Sequence, residues 1–239
     1  MTNHKSIVRY IYMLLILCSI APFNLSGQNN SFTEKIWEGI GGKTNWDNTR
    51  YIMFTVAGNE KHPEISGSRK FLVDRTAGNL RFEGRLKNQN VVALLNAHSG
   101  DLQHIYTESG AEMETEDYRD IIPALIDQYT IDFKILSLPV SLLSSSMTGQ
   151  PDSKILNAEK MLRFEFNSFL GDAGAFYISE DTGLLRRMEF DGKSYIVDGH
   201  RDVGNGLILP TVLKGSTDSV TYQKVASFTE MEPEKFTEF

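Results

Sequence analysis

Cysteine is almost absent from this sequence of 239 residues, and proline is sparse. The single cysteine, Cys18, lies in an apolar N-terminal stretch, and the whole chain has seven prolines. Once that stretch is removed, the remaining chain can form no disulfide and offers no cysteine nucleophile. Its stability must then come from a hydrophobic core, which a chain of about 210 residues can supply.

The N-terminal residues have the three parts of a secretory signal. Lys5 and Arg9 form a basic start, residues 10–21 form an apolar run, and the small residues Ser26 and Gly27 follow. The run is too short to span a bilayer comfortably, which disfavours a retained membrane anchor. We therefore predict that residues 1–27 are a signal peptide.

Cleavage before Gln28 would leave residues 28–239 as one domain, because no linker, repeat or low-complexity tract interrupts them. A lipoprotein signal is disfavoured, since it needs a small residue before its cysteine and Leu17 precedes Cys18. The expected location is the periplasm or the outer cell envelope, with no transmembrane segment after cleavage.

Basic residues are also few. The full chain has 24 Lys and Arg against 31 Asp and Glu, and the signal contains two of the basic residues and none of the acidic ones. The mature chain then carries 22 basic and 31 acidic residues, a formal charge of −9. An acidic surface argues against nucleic acid as a partner and against docking to anionic lipid.

Residues 161–213 alternate between apolar and polar side chains, as in Phe164 and Phe166 against Arg163 and Glu165. A period of two predicts strands with one buried face and one wet face. Turn-forming residues separate the strands, at positions 171–172, 180–183 and 191–192. This pattern predicts an antiparallel meander whose apolar face needs a cover.

The first half of the chain shows the same alternation after an opening helix that ends at the glycines 41 and 42. Predicted strands lie at residues 51–57, 70–74, 80–84, 91–97 and 102–107. Together the two halves predict about nine to eleven strands. Because the strands come in two antiparallel blocks around a helical insert, we expect an α+β fold built on an antiparallel sheet.

Between the two blocks, residues 116–147 lose the alternation and gain helical spacing. Tyr118, Ile122 and Leu125 begin one wide apolar stripe, and Pro123 predicts that the helix starts or kinks there. Residues 133–143 form an apolar run interrupted by Pro139, which predicts an irregular flap. This helical lid is expected to cover the apolar face of the sheet.

Several phrases resemble the LolA/LolB-like group of periplasmic lipoprotein carriers, which includes many uncharacterised exported bacterial domains. Gly41–Gly42 with Trp46 follow the opening helix, and residues 176–185 resemble the group's phrase Y-I-D-x-x-T-G-L. Residues 202–210 resemble its Gly-Leu-x-Leu-Pro strand start. The resemblance covers most of the mature chain. It implies a strongly curved antiparallel sheet, an incomplete barrel of about nine to eleven strands, with the mid-chain helical lid on its concave face. In the best-known members the cavity receives the acyl chains of a lipoprotein.

A hydrophobic cavity under the lid is the predicted ligand-binding site, with its lining inferred from the alternation and from the helical stripe. The expected lining residues are Ile52, Phe54, Val56, Phe71, Phe82, Ile122, Leu125, Phe133, Leu138, Leu142, Phe164, Phe166, Phe176 and Ile178.

Catalytic and cofactor motifs are missing. There is no G-x-S-x-G elbow and no phosphate loop, and the serines at 144–146 are predicted to be a polar stop after the flap. Asp198, His200 and Asp202 share a strand face at metal-ligand spacing, but glycines and Arg201 around them favour a solvated hairpin end. We expect no catalytic residues, no metal and no cofactor.

Three functions stay open on the sequence alone. The preferred one is a non-enzymatic exported carrier for a hydrophobic small molecule, lipid or lipoprotein, whose lid opens for the ligand. The second is a structural or interaction module of the cell envelope in which the same lid completes a filled core and a protein partner binds. The third, a metal-dependent envelope hydrolase, depends on Asp198, His200 and Asp202 meeting at one site.

Overall fold

The structure, a computed structural model, describes residues 26–145 and 147–239, so the predicted signal up to residue 25 lies outside the described residues. The described chain contains four α-helices, namely α1 (Ser26–Gly39), α2 (Lys43–Asn48), α3 (Ile122–Leu136) and α4 (Leu138–Leu143). Two 3₁₀ helices span Thr115–Ile121 and Pro233–Phe236. The compact unit Lys35–Phe239 contains the whole sheet and the helices that cover it.

Fourteen strands lie within the described residues. They are β1 (Tyr51–Ala57), β2 (Arg69–Asp74), β3 (Asn79–Leu86), β4 (Gln89–Asn96), β5 (Leu102–Thr107), β6 (Met147–Leu156), β7 (Glu159–Phe169), β8 (Asp172–Ser179), β9 (Leu185–Phe190), β10 (Lys193–Asp198), β11 (Arg201–Asp202), β12 (Ile208–Leu209), β13 (Val212–Lys214) and β14 (Ser219–Phe228).

Twelve of these strands form one antiparallel sheet, in the order β5-β4-β3-β2-β1-β14-β13-β10-β9-β8-β7-β6. Strands β11 and β12 pair separately. The sheet is not closed into a barrel, since β5 and β6 stand at its two ends. The α+β prediction with an N-terminal helix and a mid-chain lid is therefore confirmed, with twelve strands in the main sheet where nine to eleven were expected.

The two blocks of strands meet in the middle of the sheet, where β1 pairs with β14. Tyr51 lies opposite Phe228 in this pairing, across 177 positions of sequence. Only one irregularity interrupts the β1–β14 register, between Thr55 and Val56. A strand near the C-terminus thus joins the first block to the second, and neither block has a free inner edge.

Alternation decides which face of the sheet is buried under the lid. Ile52, Phe54 and Val56 of β1 are fully buried, whereas Met53 and Thr55 between them are only half-buried. Phe71 on β2 lies opposite Phe54 and belongs to the same face. We call this the lid face. The opposite face has its own smaller cluster, in which Tyr51, Leu72 and Phe236 are buried, the last from the second 3₁₀ helix.

The mid-chain insert is more regular than the sequence predicts. Helix α3 begins at Ile122 with Pro123 in its first turn, where a missing N–H costs no helical hydrogen bond. The prediction of an irregular flap over residues 133–143 is wrong, because Pro139 occupies the first turn of a second helix, α4. Ser137 separates the two helices and donates its hydroxyl to the Phe133 carbonyl. The lid is therefore two helices, α3 and α4, and Met147 already belongs to β6.

The end of α1 fits closely against a turn of the second block. A Cβ on Gly183 would lie 2.0 Å from the Lys35 carbonyl oxygen, and one on Gly39 would lie 2.4 Å from the Gly183 carbonyl oxygen. Gly183 also has φ of +70°, a conformation that side chains rarely adopt. Glycine is required here by both backbone conformation and space. Ile36 of α1 and Ile40, directly after the helix, are buried, and Trp37 is only half-buried.

Candidate functional site

The structure places the predicted lining residues on the lid face of the sheet and on the lid itself. They come from β1 (Ile52, Phe54, Val56), β2 (Phe71), β3 (Phe82), β7 (Phe164, Phe166), β8 (Phe176, Ile178), α3 (Ile122, Leu125, Phe133) and α4 (Leu138, Leu142). All are buried except Phe133, which is half-buried. Their assignment as ligand contacts stays a prediction.

Under α3, aromatic rings from the lid and the sheet pack directly on one another. The ring of Phe133 lies 6.2 Å from that of Phe54, and the ring of Tyr129 lies 5.6 Å from that of Phe71. Tyr222 on β14 contacts Phe54 edge to face, with the centroids 5.9 Å apart. These are favourable ring geometries, so α3 is fitted to this part of the sheet by shape as well as by apolar area.

A second series of rings runs along β7, β8, β9 and β10. Consecutive centroids are 5.1 to 6.3 Å apart. We call this series the aromatic row, and its members are Phe164, Phe166, Phe169, Phe176, Phe190 and Tyr195. The row forms a continuous aromatic surface across four strands, beside α4, which contacts β7.

Sequence reasoning found half of the aromatic row and missed Phe169, Phe190 and Tyr195. Strict alternation from Phe166 would place Phe169 on the other face, but the pairing of β7 with β8 shifts between these two residues. A β-bulge of this kind moves the following side chains to the opposite face. Phe190 and Tyr195 flank the predicted turn at 191–192, and this spacing could have indicated that the two rings meet across the hairpin.

A buried ion pair joins the lid to the sheet. The Arg69 guanidinium at the start of β2 donates two hydrogen bonds to the Asp132 carboxylate of α3, at 2.9 and 3.1 Å. Both side chains have no exposed surface. The hydroxyl of Tyr222 donates to the Asp132 backbone carbonyl. Charged side chains are almost never buried so completely unless they are paired, as these are.

Gln128, one helical turn before Asp132, extends this polar contact to the loop between β1 and β2. Its Nε2 donates to the Asp132 carboxylate at 3.1 Å and to the Asn59 carbonyl at 3.0 Å, and its Oε1 accepts the Lys61 N–H at 2.8 Å. Arg69 completes the link by donating to the carbonyl of Gly58 at 2.7 Å. We call Arg69, Gln128 and Asp132 with their partners in loop 58–68 the clasp.

Burial shifts the pKa values of the ionisable groups in and beside the clasp. Desolvation raises the pKa of Asp132 to about 6, although the hydrogen bonds from Arg69 and Gln128 oppose the shift. The pKa of Tyr222 is raised well above its ordinary value, again by burial, and then by the neighbouring Asp132 charge. The clasp therefore has one carboxyl group that titrates between mildly acidic and neutral pH.

A second, exposed set of charges lies at the rim of the same contact. Asp127 of α3 pairs with His62 at 2.7 Å and with Lys61 at 2.9 Å, both from loop 58–68. The hydrogen bonds from His62 and then Lys61 hold the pKa of Asp127 below its ordinary value. The rim thus aligns the loop with α3, while solvent screening keeps its contribution to stability small.

The clasp was not predicted, although α3 carried a signal for it. Gln128 and Asp132 lie three and seven positions after the buried Leu125, so they share its helical face. Two polar residues inside an apolar stripe indicate buried polar contacts. Nothing in the sequence identified Arg69, 63 positions away, as the partner.

The metal-site hypothesis is not supported by the geometry. Within residues 26–145 and 147–239, no three His, Cys, Asp or Glu side chains come together as metal ligands would, and this includes Asp198, His200 and Asp202. Both ring nitrogens of His200 are buried without a hydrogen bond to a described residue. Burial and then the nearby Arg186 lower the pKa of His200 to about 4, so the ring is neutral at neutral pH.

No family model and no curated protein matches the chain. Among solved structures, it is similar to a lipoprotein-sorting domain from Vibrio parahaemolyticus, with 7% identity over 81% of this chain and 93% of that one, at a TM-score of 0.38. The lipoprotein LppX from Mycobacterium tuberculosis matches with 9% identity over 85% of this chain and 97% of its own, at a TM-score of 0.31.

LprF from Mycobacterium bovis matches with 10% identity over 85% of this chain and 95% of its own, at a TM-score of 0.34. The chain is thus similar to one lipoprotein-sorting structure and to two lipoprotein structures. TM-scores below 0.5 support no transfer of residue roles. Across the part of the chain that the structure describes, no helix is long and apolar enough to cross a membrane.

Proposed function

We propose that the mature chain, residues 28–239, is a non-enzymatic exported carrier for a hydrophobic ligand, a lipid or an acyl chain, in the periplasm or outer cell envelope. The observation that carries this proposal is the combination on one sheet face of a continuous aromatic row and a two-helix lid held by a polar clasp. Ligand enters against the lid face when α3 and α4 move. The proposal needs no cofactor, and an envelope protein can act as donor or acceptor.

The composition of the aromatic row supports an apolar ligand. The hydroxyl of Tyr195 is its only polar group, and that hydroxyl already donates to Asp218 at 3.2 Å. A ligand with its own charge or hydrogen-bonding groups would lose water there without finding a partner, which costs free energy. Acyl chains and other apolar molecules lose no such contacts.

The polar nature of the clasp supports a lid that moves. A buried ion pair contributes little net stability, because its electrostatic attraction is offset by the loss of water from both charges. When the lid opens, Arg69 and Asp132 regain that water. The clasp therefore fixes the closed position of α3 with high specificity at a small net free energy, which suits reversible closure.

A matched pair of variants on β8 tests ligand binding at the lid face. Phe176 belongs to the aromatic row, whereas the next residue, Tyr177, points to the opposite face, where it packs with Met161 and Ala175. We expect the wild-type mature protein to bind a fluorescent fatty acid saturably. Phe176→Ala should weaken that binding about tenfold or more, equivalent to about 1.4 kcal/mol, and Tyr177→Ala should change it by less than about threefold.

Thermal unfolding of each variant shows whether the protein remains folded, and Phe176→Leu, which stays apolar, provides a milder substitution. Equal loss of binding in the Phe176 and Tyr177 variants at similar stability would contradict a site on the lid face. Absence of uptake by the folded wild-type protein would contradict the carrier function itself.

The burial of the predicted lining favours one second candidate. Phe54, Phe71 and Phe82 have no exposed surface, as expected if the lid simply completes a filled core. The chain would then be an envelope interaction module that binds a protein partner. Failure of the wild type to take up any apolar probe selects this candidate.

A further inference from the structure

The two end strands of the sheet differ in whether their outer edges are hydrogen-bonded. At β5, the segment 111–113 folds back on the free edge: the Thr107 N–H donates to the Ala111 carbonyl at 2.8 Å, and the Met113 N–H donates to the Ile105 carbonyl at 2.9 Å. At the opposite end, β7 is the one strand among the described residues that pairs with β6. An unpaired edge strand is a template for another strand.

The free part of β6 is exposed on both of its faces. Residues 151–155 are all exposed, and Ile155 is the most exposed large apolar side chain among the described residues, at 73%. The pairing with β7 shifts between Thr148 and Asp152, and Pro151 lies in this irregular part. A proline cannot donate to a ladder, so it limits a regular new pairing to the short segment that follows it.

The hairpin turn determines which backbone groups of this segment are free. Asn157 and Ala158 have φ of +51° and +64°, as a two-residue type I′ turn requires, and Leu156 lies opposite Glu159. Residues that flank such a turn hydrogen-bond to each other, and the direction alternates along the strand. The N–H and C=O groups of Ser153 and Ile155 therefore point away from β7.

Charges of opposite sign lie between and beside these free groups. Asp152 and Lys154 share a face of β6 and are paired to each other at 2.6 Å, with about half of each side chain exposed. In an antiparallel self-pairing centred on Ser153, Asp152 of each copy lies opposite Lys154 of the other. Ile155 lies opposite Pro151 on the second face.

We infer that β6 pairs with β6 of a second copy of this chain, antiparallel and centred on Ser153, to form a symmetric dimer with one continuous sheet. In this register the Ser153 N–H of each copy donates to the Ser153 carbonyl of the other. The Ile155 N–H of each copy donates to the Pro151 carbonyl of the other, and this bond does not require an N–H on the proline. Two Asp152–Lys154 pairs across the interface form a ring of four alternating charges.

Neighbouring registers are less favourable for defined reasons. Centring on Lys154 would use backbone groups already bonded to β7 and would place two lysines opposite each other. Centring on Ile155 would place Lys154 opposite Leu156 and lose both ion pairs. The Ser153 register is the one in which free backbone groups and charge complementarity coincide, and this selects a second copy over an unrelated strand.

The contact is small, so the dimer is expected to be weak and concentration-dependent. Stable interfaces usually bury more than about 1,000 Å², whereas one pair of short strands offers less. Exposed ion pairs add about 1 kcal/mol or less each and are screened by salt. The dimer should therefore weaken as the salt concentration rises.

Sedimentation equilibrium of the mature protein with a charge-swap series tests the inference. We expect the wild type to dimerise reversibly at low salt. Lys154→Glu and Asp152→Lys should each weaken dimerisation about tenfold or more, because each places like charges opposite one another. The double variant Asp152→Lys/Lys154→Glu reverses every pair and should restore dimerisation to within about threefold of wild type.

Circular dichroism and thermal unfolding establish that each variant is folded, which is expected because the substitutions are exposed. A wild type that stays monomeric up to its solubility limit would overturn the inference. So would single variants that dimerise like wild type, or a double variant that does not recover. Capture of a foreign peptide by β6 without self-association would assign the edge to a different partner.

Discussion

Arg69 and Asp132 are two fully buried charges in the contact between the lid and the sheet. Each depends on the other, since an isolated buried charge costs several kcal/mol. Gln128 and the carbonyls of loop 58–68 use the remaining donors and acceptors. Because these partners come from α3, β2 and one loop, the clasp specifies a single position of α3 on the sheet.

A double-mutant cycle measures this dependence. Arg69→Met and Asp132→Leu should each destabilise the protein by about 3–5 kcal/mol, since each leaves an unpaired buried charge. The double variant should cost at least about 2 kcal/mol less than the sum of the two, because no charge remains buried. Urea unfolding at pH 7.5 gives the four free energies of unfolding.

The partly exposed pair Lys70–Glu83 on β2 and β3 is the matched control for this cycle, with its atoms 2.9 Å apart and each side chain about one-third exposed. Lys70→Met with Glu83→Leu should show a coupling of about 1 kcal/mol or less. A coupling between Arg69 and Asp132 as small as that of the control pair would contradict the role given to the clasp.

Alternation in the sequence predicts which strand residues are buried, but it cannot predict pairs such as Arg69 with Asp132. Side chains on one strand or helix follow a fixed period, so Phe54 and Phe164 were assigned to the correct face. A contact across 63 positions depends on how the elements are placed in space. A bulge, as between Phe166 and Phe169, also changes the face without an obvious sequence signal.

At the scale of elements, the first helix of the lid was predicted better than strands β6 and β14. The apolar stripe that begins at Tyr118 predicts a helix, and Pro123, predicted to start or kink it, lies in the first turn of α3. Strands β6 and β14 were not placed by sequence reasoning. In β6 residues 151–155 are exposed on both faces, so the strand has no apolar period to detect.

Lid opening should depend on pH through Asp132. Its pKa is about 6 with the lid closed and should return to about 4 when opening exposes it to water. The closed state therefore binds this proton more tightly. That preference for closure is complete below about pH 4 and is lost as the pH rises through about 6.

Uptake of the neutral apolar dye N-phenyl-1-naphthylamine, measured by stopped-flow fluorescence, reports this opening. We expect uptake at pH 5 to be about tenfold slower than at pH 7.5, since one pKa unit corresponds to about 1.4 kcal/mol. Asp132→Asn should flatten the profile. The other charges around the contact are Arg69, Glu60 and the rim of Lys61, His62 and Asp127.

His62→Gln is the control for the rim, because His62 contacts α3 through Asp127. If His62→Gln removes the pH dependence and Asp132→Asn keeps it, the exposed rim and not the buried clasp governs the lid. Uptake that becomes faster at acidic pH would contradict the sign of the Asp132 shift.

On the scale of the whole molecule, one open antiparallel sheet supplies both a covered face and a free edge. The pairing of β1 with β14 joins the two blocks, so the lid face continues from Phe71 to Phe176 across the sheet. The fold class follows from the sequence because strands in two blocks around a helical insert allow few arrangements. The exact strand order does not, because it depends on pairings between distant segments.

In the function that we propose, this lid face binds an apolar ligand. Native mass spectrometry with organic extraction of the mature protein, purified from a bacterial envelope, tests it most directly. We expect a co-purifying lipid or acylated species. It should be lost when Leu142→Asp is introduced under the lid and kept when Ile155→Asp is introduced at the exposed edge instead. A mass equal to that of the folded wild-type protein without ligand, together with no uptake of added fatty acid, would contradict ligand binding at the lid face.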